Sequence, residues 1–364
     1  MTFKILVSIF KNLVWMCIGF LGASFGMSLI LGKSINPISW YDVMFMLVLF
    51  TIIMLSIFIH ELGHLFFGFA TGYKFSSFQV GNLIWFEKNG KVGFSISENS
   101  FVAGQCLMEP IEDEEEFKYF WYNFGGGFFN LLVLTICLLI MGIGNINDFW
   151  YSLLIAGSTI NGFYVLINWI PISFLNNDGY NIYAVSKSKE AKRGLHKTLL
   201  VNSALNKGKS LREFSAETFK VEEGADLENI WIVQLILHEY SRLEALGDIE
   251  SAMKELQRLN IEKLPTLLKG VVKLELINHY VTRELDYELA KELYQCKAVK
   301  KSIKLKLPGT TRIQAAYTYF VKGEKLEGKT LFAKAEKQAK NFTNKGLKEM
   351  ELEELERLKA LMKS

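Results

Sequence analysis

Long runs without charged residues limit this chain to a membrane protein. Residues 12–32 carry no charge, residues 43–59 form a second uncharged run, and residues 119–147 and 149–177 form two more. A helix rises about 1.5 Å per residue, so about 20 apolar residues cross a bilayer core of about 30 Å. We therefore expect an α-helical polytopic membrane protein with about four membrane-spanning helices.

The second expected span, residues 43–70, contains His60-Glu61-Leu62-Gly63-His64 near its far end. Positions four apart share a face of a helix, so both imidazoles can reach one ion. Glu61 lies beside them and can take a proton from a water at an open zinc position. The pattern also arises by chance, but an ionisable group at membrane depth costs about 2.5–3.5 kcal/mol and indicates function. The motif therefore predicts a zinc site and a general base.

A catalytic zinc usually has three protein ligands and one open position, so a third ligand is needed. Asp178 directly follows the last uncharged run and precedes Gly179. An Asp-Gly pair alone indicates only a turn. Beside a two-histidine site, Asp178 becomes the leading candidate for the third ligand. The acidic residues within 109–116 are the alternative source, and would supply a glutamate as the third ligand.

Between the second and third spans, residues 73–108 alternate aromatic, β-branched and polar residues, with Asn89-Gly90 as a hairpin signal. This pattern predicts a small β-sheet insertion. The sheet either caps the membrane domain or offers an edge to which an extended substrate adds as a strand. The acidic segment 112–116 that follows is either a solvated face beside the membrane or a gate to the site.

The two halves of the chain differ in composition, so we expect two domains. Residues 1–185 form the expected membrane domain, residues 186–215 a basic linker, and residues 216–364 a cytosolic all-α domain. The net charge of +3 averages an apolar half and a half rich in Lys and Glu, and gives no support to nucleic acid binding.

Amphipathic helices are expected throughout the C-terminal half. Gly247, Leu285 and Gly323 recur at a spacing of about 38 residues, each between two of these helices. This period weakly resembles the helical hairpins of tetratricopeptide repeats. The helices either form a solvated domain or dock a cytosolic protein partner.

The distribution of basic residues predicts the orientation in the membrane. Lys4 and Lys11 precede the first span, and a basic cluster follows the last: Lys187, Lys189, Lys192, Arg193 and Lys197. The positive-inside rule places both termini in the cytoplasm. We expect an integral protein of a bacterial cell membrane whose site lies toward the cytoplasmic face.

Three motifs in this order resemble the site-2 protease family of intramembrane zinc metalloproteases. The sequence from His60 to His64 is similar to the family's zinc helix, residues 126–130 look like its glycine-rich motif, and residues 176–179 look like its Asn-x-Asp-Gly motif. The resemblance covers about residues 1–183 and is to members without a PDZ domain. Gly127 and Asn177 stand where the family often has proline.

The resemblance implies a role for each motif. His60, His64 and Asp178 would bind Zn²⁺, Glu61 would be the catalytic base, and Asn130 would hold the substrate or its reacting carbonyl. The implied activity is cleavage of membrane-spanning or membrane-inserted peptides, in regulated intramembrane proteolysis or in the processing of signal or pheromone peptides. The alternative is a catalytically silent membrane scaffold whose helical tail recruits a cytosolic partner. The intact Glu61 argues against that scaffold.

Overall fold

The computed structural model describes residues 40–88, 90–96, 103–173, 175–305, 307–342 and 344–363. The first expected span and the lysines that precede it lie outside these residues. The described chain is mainly helical, with a small antiparallel sheet inserted between its first two long helices. The prediction of a mostly helical membrane protein with a small sheet is confirmed in this part of the chain.

Three helices of the described chain are long and apolar enough to cross a membrane. They are α1 (Trp40–Ala70), α2 (Tyr119–Ile143) and α3 (Asp148–Trp169). They match the second, third and fourth expected spans. Large apolar side chains such as Leu139 and Leu166 remain exposed on their outer faces, as expected of surfaces that contact lipid.

The last of these helices is shorter than the uncharged run that predicts it. Ile170 has an extended backbone with a ψ of 123°, because Pro171 disfavours a helical conformation of the preceding residue and has no N–H. The chain then turns and starts a separate short helix, α4 (Asp178–Val185). The side chain of Asn177 caps this helix by accepting a hydrogen bond from the backbone N–H of Tyr180. Asp178 therefore begins a helix of its own beyond the span.

The expected insertion is a four-stranded antiparallel sheet in the described residues, with strand order β3-β2-β1-β4. The strands are β1 (Tyr73–Val80), β2 (Leu83–Lys88), β3 (Lys91–Ile96) and β4 (Gly104–Pro110). Lys88 pairs with Lys91, and Gly90 between them has a φ of +77°, which glycine adopts without steric cost. The Asn-Gly signal thus marks the β2–β3 turn, and β4 is left at one edge of the sheet.

Helices α1 and α2 approach so closely that their backbones are in contact. A Cβ at Gly63 would lie 2.1 Å from the carbonyl oxygen of Gly125, and a Cβ at Gly125 would lie 2.5 Å from the carbonyl oxygen of Gly63. Small residues allow this approach between membrane helices. The contact places the histidine motif of α1 directly beside the glycine-rich part of α2.

The expected linker, residues 186–215, is mostly a helix. α5 (Lys189–Lys207) begins after Ser188, whose side chain accepts a hydrogen bond from the N–H of Ala191, and ends at Gly208, which has a φ of +99°. Its leucines at 195, 199 and 205 are buried. The basic residues that indicate a linker lie between these buried positions on a helix that packs into the fold.

The remaining chain forms further helices, as expected for the C-terminal half. They are α6 (Ala216–Phe219), α7 (Ile230–Leu246), α8 (Ile249–Gln257), α9 (Thr266–His279), α10 (Tyr287–Tyr294), α11 (Lys297–Ile303), α12 (Pro308–Ala316), α13 (Lys325–Lys340) and α14 (Lys345–Leu361). Short π-helical segments, Tyr280–Glu284 and Tyr317–Val321, extend α9 and α12.

The 38-residue period corresponds to three similar helix junctions. Gly247, Leu285 and Gly323 all have left-handed backbones, with φ of 84°, 60° and 74°. The next residue at each junction is acidic and is the N-cap of the following helix. The period therefore has a structural counterpart in helix–turn–helix units, while the likeness to tetratricopeptide repeats stays a prediction.

We expect Gly125→Ala to destabilise the membrane part, because the new methyl group would overlap the backbone of α1. Overpacking of this kind costs about 1–3 kcal/mol. Gly142→Ala on the same helix is the matched control, since a Cβ there meets no described atom within 4 Å. Thermal unfolding in detergent should show a lower midpoint for Gly125→Ala and an unchanged or slightly higher one for Gly142→Ala, because alanine favours helix. Equal midpoints would contradict the close backbone contact.

Candidate metal and active site

The second half of α1 carries the two motif histidines and the glutamate in a buried position. His60, Glu61 and His64 are 7%, 6% and 7% exposed. The four-residue spacing puts both imidazoles on one face of the helix, with their Nε2 atoms 3.1 Å apart. Both rings can therefore contact one ion, as the spacing predicts.

Asp178 meets the two histidines from the start of α4. Its Oδ2 atom lies 3.2 Å from Nε2 of His60 and 3.3 Å from Nε2 of His64. Three ligands held by a tetrahedral zinc at about 2.0–2.1 Å would lie about 3.3 Å apart. Within the described residues, these three side chains form the group that could hold a metal ion.

The hydrogen bonds behind the two rings determine which ring nitrogen carries the proton. Nδ1 of His60 lies 2.8 Å from Oδ1 of Asn130, and Nδ1 of His64 lies 2.7 Å from the carbonyl oxygen of Tyr122. Both oxygens can only accept, so both Nδ1 atoms donate, and neutral rings have lone pairs at Nε2. Two nitrogen lone pairs and the carboxylate oxygen of Asp178 then converge on one point. That donor set fits a cation, and Oδ2 of Asp178 has no hydrogen-bond partner among the described residues.

Asn130 lies behind His60 in a network of buried side chains. Its Nδ2 donates to the carbonyl oxygen of Ser56 at 3.1 Å and to Oδ1 of Asn161 at 2.8 Å. Asn161 in turn donates to the Ser56 hydroxyl at 3.0 Å. These donations orient the Asn130 amide so that its oxygen faces His60. Asn130 is fully buried behind the ring of His60 and is not among the residues that line the cavity.

The glycine-rich segment of α2 leaves room for the rings. A Cβ at Gly126 would lie 2.5 Å from Cε1 of His60 and 2.5 Å from Nε2 of His64. A Cβ at Gly127 would lie 2.2 Å from Nε1 of Trp169. Gly127 stands where the family often has proline, and here it lets the end of α3 pack against α2.

Asn177 organises the turn that presents Asp178. Its Oδ1 accepts from the N–H groups of Ile172 and Tyr180, at 3.2 and 2.9 Å, and its Nδ2 donates to the carbonyl oxygens of Ile170 and Ile167. One side chain thus joins the end of α3, the turn and the start of α4. A proline at this position could make none of these side-chain hydrogen bonds. In this chain, the hydrogen bonds of Asn177 hold the backbone that carries Asp178.

Glu61 and the three candidate ligands line a cavity of about 560 Å³. The cavity wall includes residues 104–107 of strand β4 and Ala103 just before it, and a Cβ at Gly104 would lie 2.6 Å from Oε1 of Glu61. Tyr122 joins the strand to the site, because its hydroxyl donates to the carbonyl oxygen of Cys106 at 2.5 Å. The glutamate therefore faces the space in which a ligand would lie, beside an edge strand.

The acidic segment pairs with basic residues instead of supplying a third ligand. Glu112 lies 2.8 Å from Lys118, and Glu114 lies 3.1 Å from Lys197 of α5. Glu109 bonds Lys207 of the same helix. The alternative that residues 109–116 provide a zinc ligand has no support in this geometry, and the segment is attached to α5.

Several residues around the site are missing from the sequence prediction. Asn161 and Ser56 complete the network behind His60, and α5 and α7 supply part of the cavity wall. Asn161 and Ser56 are polar residues inside apolar spans, which is a usable signal of function. The wall from α5 and α7 has no such signal, because their apolar faces look like ordinary packing faces.

Comparison with known proteins identifies the family. The sequence profile described as Peptidase family M50 matches residues 48–323. The match extends well beyond residue 183, where the motif resemblance ends, and includes most of the C-terminal helices. Searches of curated proteins and of solved structures find no match. The chain therefore belongs to peptidase family M50, the site-2 protease family of membrane metalloproteases.

Proposed function

We propose that this chain is an intramembrane zinc endopeptidase that hydrolyses peptide bonds in membrane-spanning or membrane-inserted segments. The observation that carries the proposal is the convergence of His60, His64 and Asp178 beside Glu61 in one cavity of a family M50 protein. A zinc ion held by Nε2 of both histidines and by Asp178 would lower the pKa of a water to about 7 and polarise a peptide carbonyl.

Glu61 is the general base of the proposed reaction. Its carboxylate takes a proton from the attacking water and passes it to the departing amide nitrogen. Glu61 lines the cavity, so its carboxylate can reach a water and a peptide bond that lie there. Gly104 leaves the carboxylate enough room beside β4, since any side chain there would meet Oε1.

Strand β4 is the proposed binding site of the substrate. It is an edge strand of the described sheet, and its residues line the cavity together with Glu61. An extended peptide can add to such an edge through backbone hydrogen bonds. A substrate helix must unwind first, because its carbonyls are hydrogen-bonded within the helix. The position of β4 favours this role of the sheet over that of a cap.

The family and the apolar helices make the chain an integral membrane protein. The proposal further places it in a bacterial cell membrane with both termini in the cytoplasm, so that the site lies toward the cytoplasmic face. Its substrates would belong to regulated intramembrane proteolysis or to signal or pheromone peptide processing. A cytosolic protein that docks on the C-terminal helices remains part of the proposal.

Glu61→Gln should abolish cleavage while leaving zinc bound, because glutamine keeps the size of the side chain but cannot take the proton. Loss of a general base lowers the rate by about 10²–10⁴-fold. Mass spectrometry of membrane peptides from cells that produce either protein measures the effect. Glu288→Gln, at an exposed position of α10, is the matched control. If Glu61→Gln forms as much product as the wild type, Glu61 is not the general base. If the wild type binds zinc but forms no product, the result favours the silent scaffold.

His60→Asn and Asp178→Asn should each lose zinc, because the remaining pair of ligands binds the ion far more weakly. Elemental analysis of the purified proteins measures this, with about one zinc per chain expected in the wild type. The matched controls are His279→Asn and Asp248→Asn, and asparagine preserves the helix cap that Asp248 provides. Full zinc content in either site variant would exclude that residue as a ligand.

Asn130→Ala should weaken zinc binding by about 10–100-fold, because loss of a residue that orients a ligand typically has this effect. Asn161→Ala should have a smaller effect, since Asn161 contacts Asn130 and not the ring of His60. Chelator competition at fixed pH gives both affinities. An unchanged zinc affinity together with slower cleavage would instead assign Asn130 to the substrate, as the family resemblance implies.

A further inference from the structure

Helices α5 and α7, which follow the membrane part of the chain, supply one wall of the active-site cavity. Leu195, Thr198 and Leu199 of α5 and Trp231 of α7 line the same cavity as Glu61. None of these four residues belongs to the three motifs that carry the family resemblance. The wall therefore adds candidate substrate contacts from a part of the chain far from the zinc ligands in sequence.

This wall is firmly joined to the sheet and to the acidic segment. Ser203 of α5 donates to Oε2 of Glu109 at 2.6 Å, and Lys207 bonds the same carboxylate. Nε2 of His196 donates to the carbonyl oxygen of Glu112 at 2.9 Å. Leu195 and Leu199 lie in one apolar cluster with residues of the sheet and of α2. Helix α5 is thus held beside β4, on the cavity that β4 also lines.

Trp231 is held against α5 by a close backbone approach. A Cβ at Gly194 would lie 2.5 Å from the carbonyl oxygen of Trp231 and 3.1 Å from its Cβ. The indole also packs against the apolar cluster that contains Leu195 and Leu199. Its position in the cavity wall is therefore defined by packing before any ligand binds.

Three polar atoms of cavity residues have no hydrogen-bond partner among the described residues. They are Oγ1 of Thr198, Nε1 of Trp231 and Oδ1 of Asn181. Thr198 is only 6% exposed, and Asn181 uses its other amide atom to donate to Oδ1 of Asn123 at 3.2 Å. Buried polar groups in folded proteins are nearly always paired. A ligand that pairs all three atoms must supply both donors and acceptors.

An extended polypeptide backbone has this chemistry. Its carbonyl oxygens can accept from the Thr198 hydroxyl and the Trp231 N–H, and its N–H can donate to Asn181. Leu195 and Leu199 provide apolar surface for a neighbouring side chain. We infer that α5 and α7 form a substrate-binding wall, and that Thr198 of α5, Trp231 of α7 and the neighbouring Asn181 of α4 bind the backbone of the unwound segment beside the bond to be cut. This inference rests on the proposed function and assigns specificity-determining contacts to the C-terminal helices.

Zinc-chelating probes with and without peptide arms test the inference on the full-length protein in detergent. The probes are acetohydroxamate, which has no arm, and two peptide hydroxamates whose arms extend to opposite sides of the chelating group. Calorimetry gives the Kd of each probe. Thr198→Val and Trp231→Phe should each raise the Kd of at least one armed probe by about three- to tenfold, as loss of one hydrogen bond does. The Kd of acetohydroxamate should not change.

Conservative and distant variants serve as controls. Thr198→Ser keeps the hydroxyl and should bind the armed probes like the wild type. Thr330→Val and Trp150→Phe make the same chemical changes at exposed positions of α13 and α3, and should change no Kd. An unchanged Kd for both armed probes in both wall variants, or an equal loss for acetohydroxamate, would overturn the inference. Wild type that binds no probe would overturn the zinc site itself, and this inference with it.

Discussion

The site depends on the protonation of two imidazoles that face each other. Oδ1 of Asn130 and the carbonyl oxygen of Tyr122 accept hydrogen bonds from the Nδ1–H groups of His60 and His64, so both Nε2 lone pairs point at one place. The carboxylate of Asp178 points there too. Three buried acceptors this close repel one another unless a cation lies between them. The packing around the site brings the acceptors together, and the binding of a cation would make that arrangement favourable.

Several residues near the site bring the two histidines and Asp178 together. Glycines at 63 and 125 bring α1 against α2, and Gly126 leaves space for the rings. Asn177 ties the end of α3 to the start of α4 through its four side-chain hydrogen bonds. Each of these residues weakens a helix locally or interrupts it. They lie where the chain brings His60, His64 and Asp178 together.

The sequence predicts local features well and long-range contacts poorly. Helical and alternating patterns identify α1–α3, the Asn-Gly turn and the C-terminal helices, because those patterns depend on neighbouring residues. The pairing of Asp178 with two histidines follows from motif order and ligand number. The role of α5 could not be predicted, because its contact between Ser203 and Glu109 joins residues 94 apart. The basic residues of α5 are typical of an exposed linker. Their contacts with the acidic segment, such as that of Lys197 with Glu114, are visible only in the structure.

Apolar contacts, more than ion pairs, keep the C-terminal wall on the cavity. The pair of Glu114 and Lys197 is partly exposed, and such pairs contribute about 0–1 kcal/mol each. Burial of one leucine side chain contributes about 1.5–3 kcal/mol, and Leu195 and Leu199 are both buried in the cluster shared with the sheet. The leucines therefore supply more of the attachment of α5 than the ion pairs do. Movement of residues 112–116 away from α5 would break the ion pair of Glu114 with Lys197 and the hydrogen bond from His196 to the carbonyl oxygen of Glu112, while the leucines would keep α5 on the sheet.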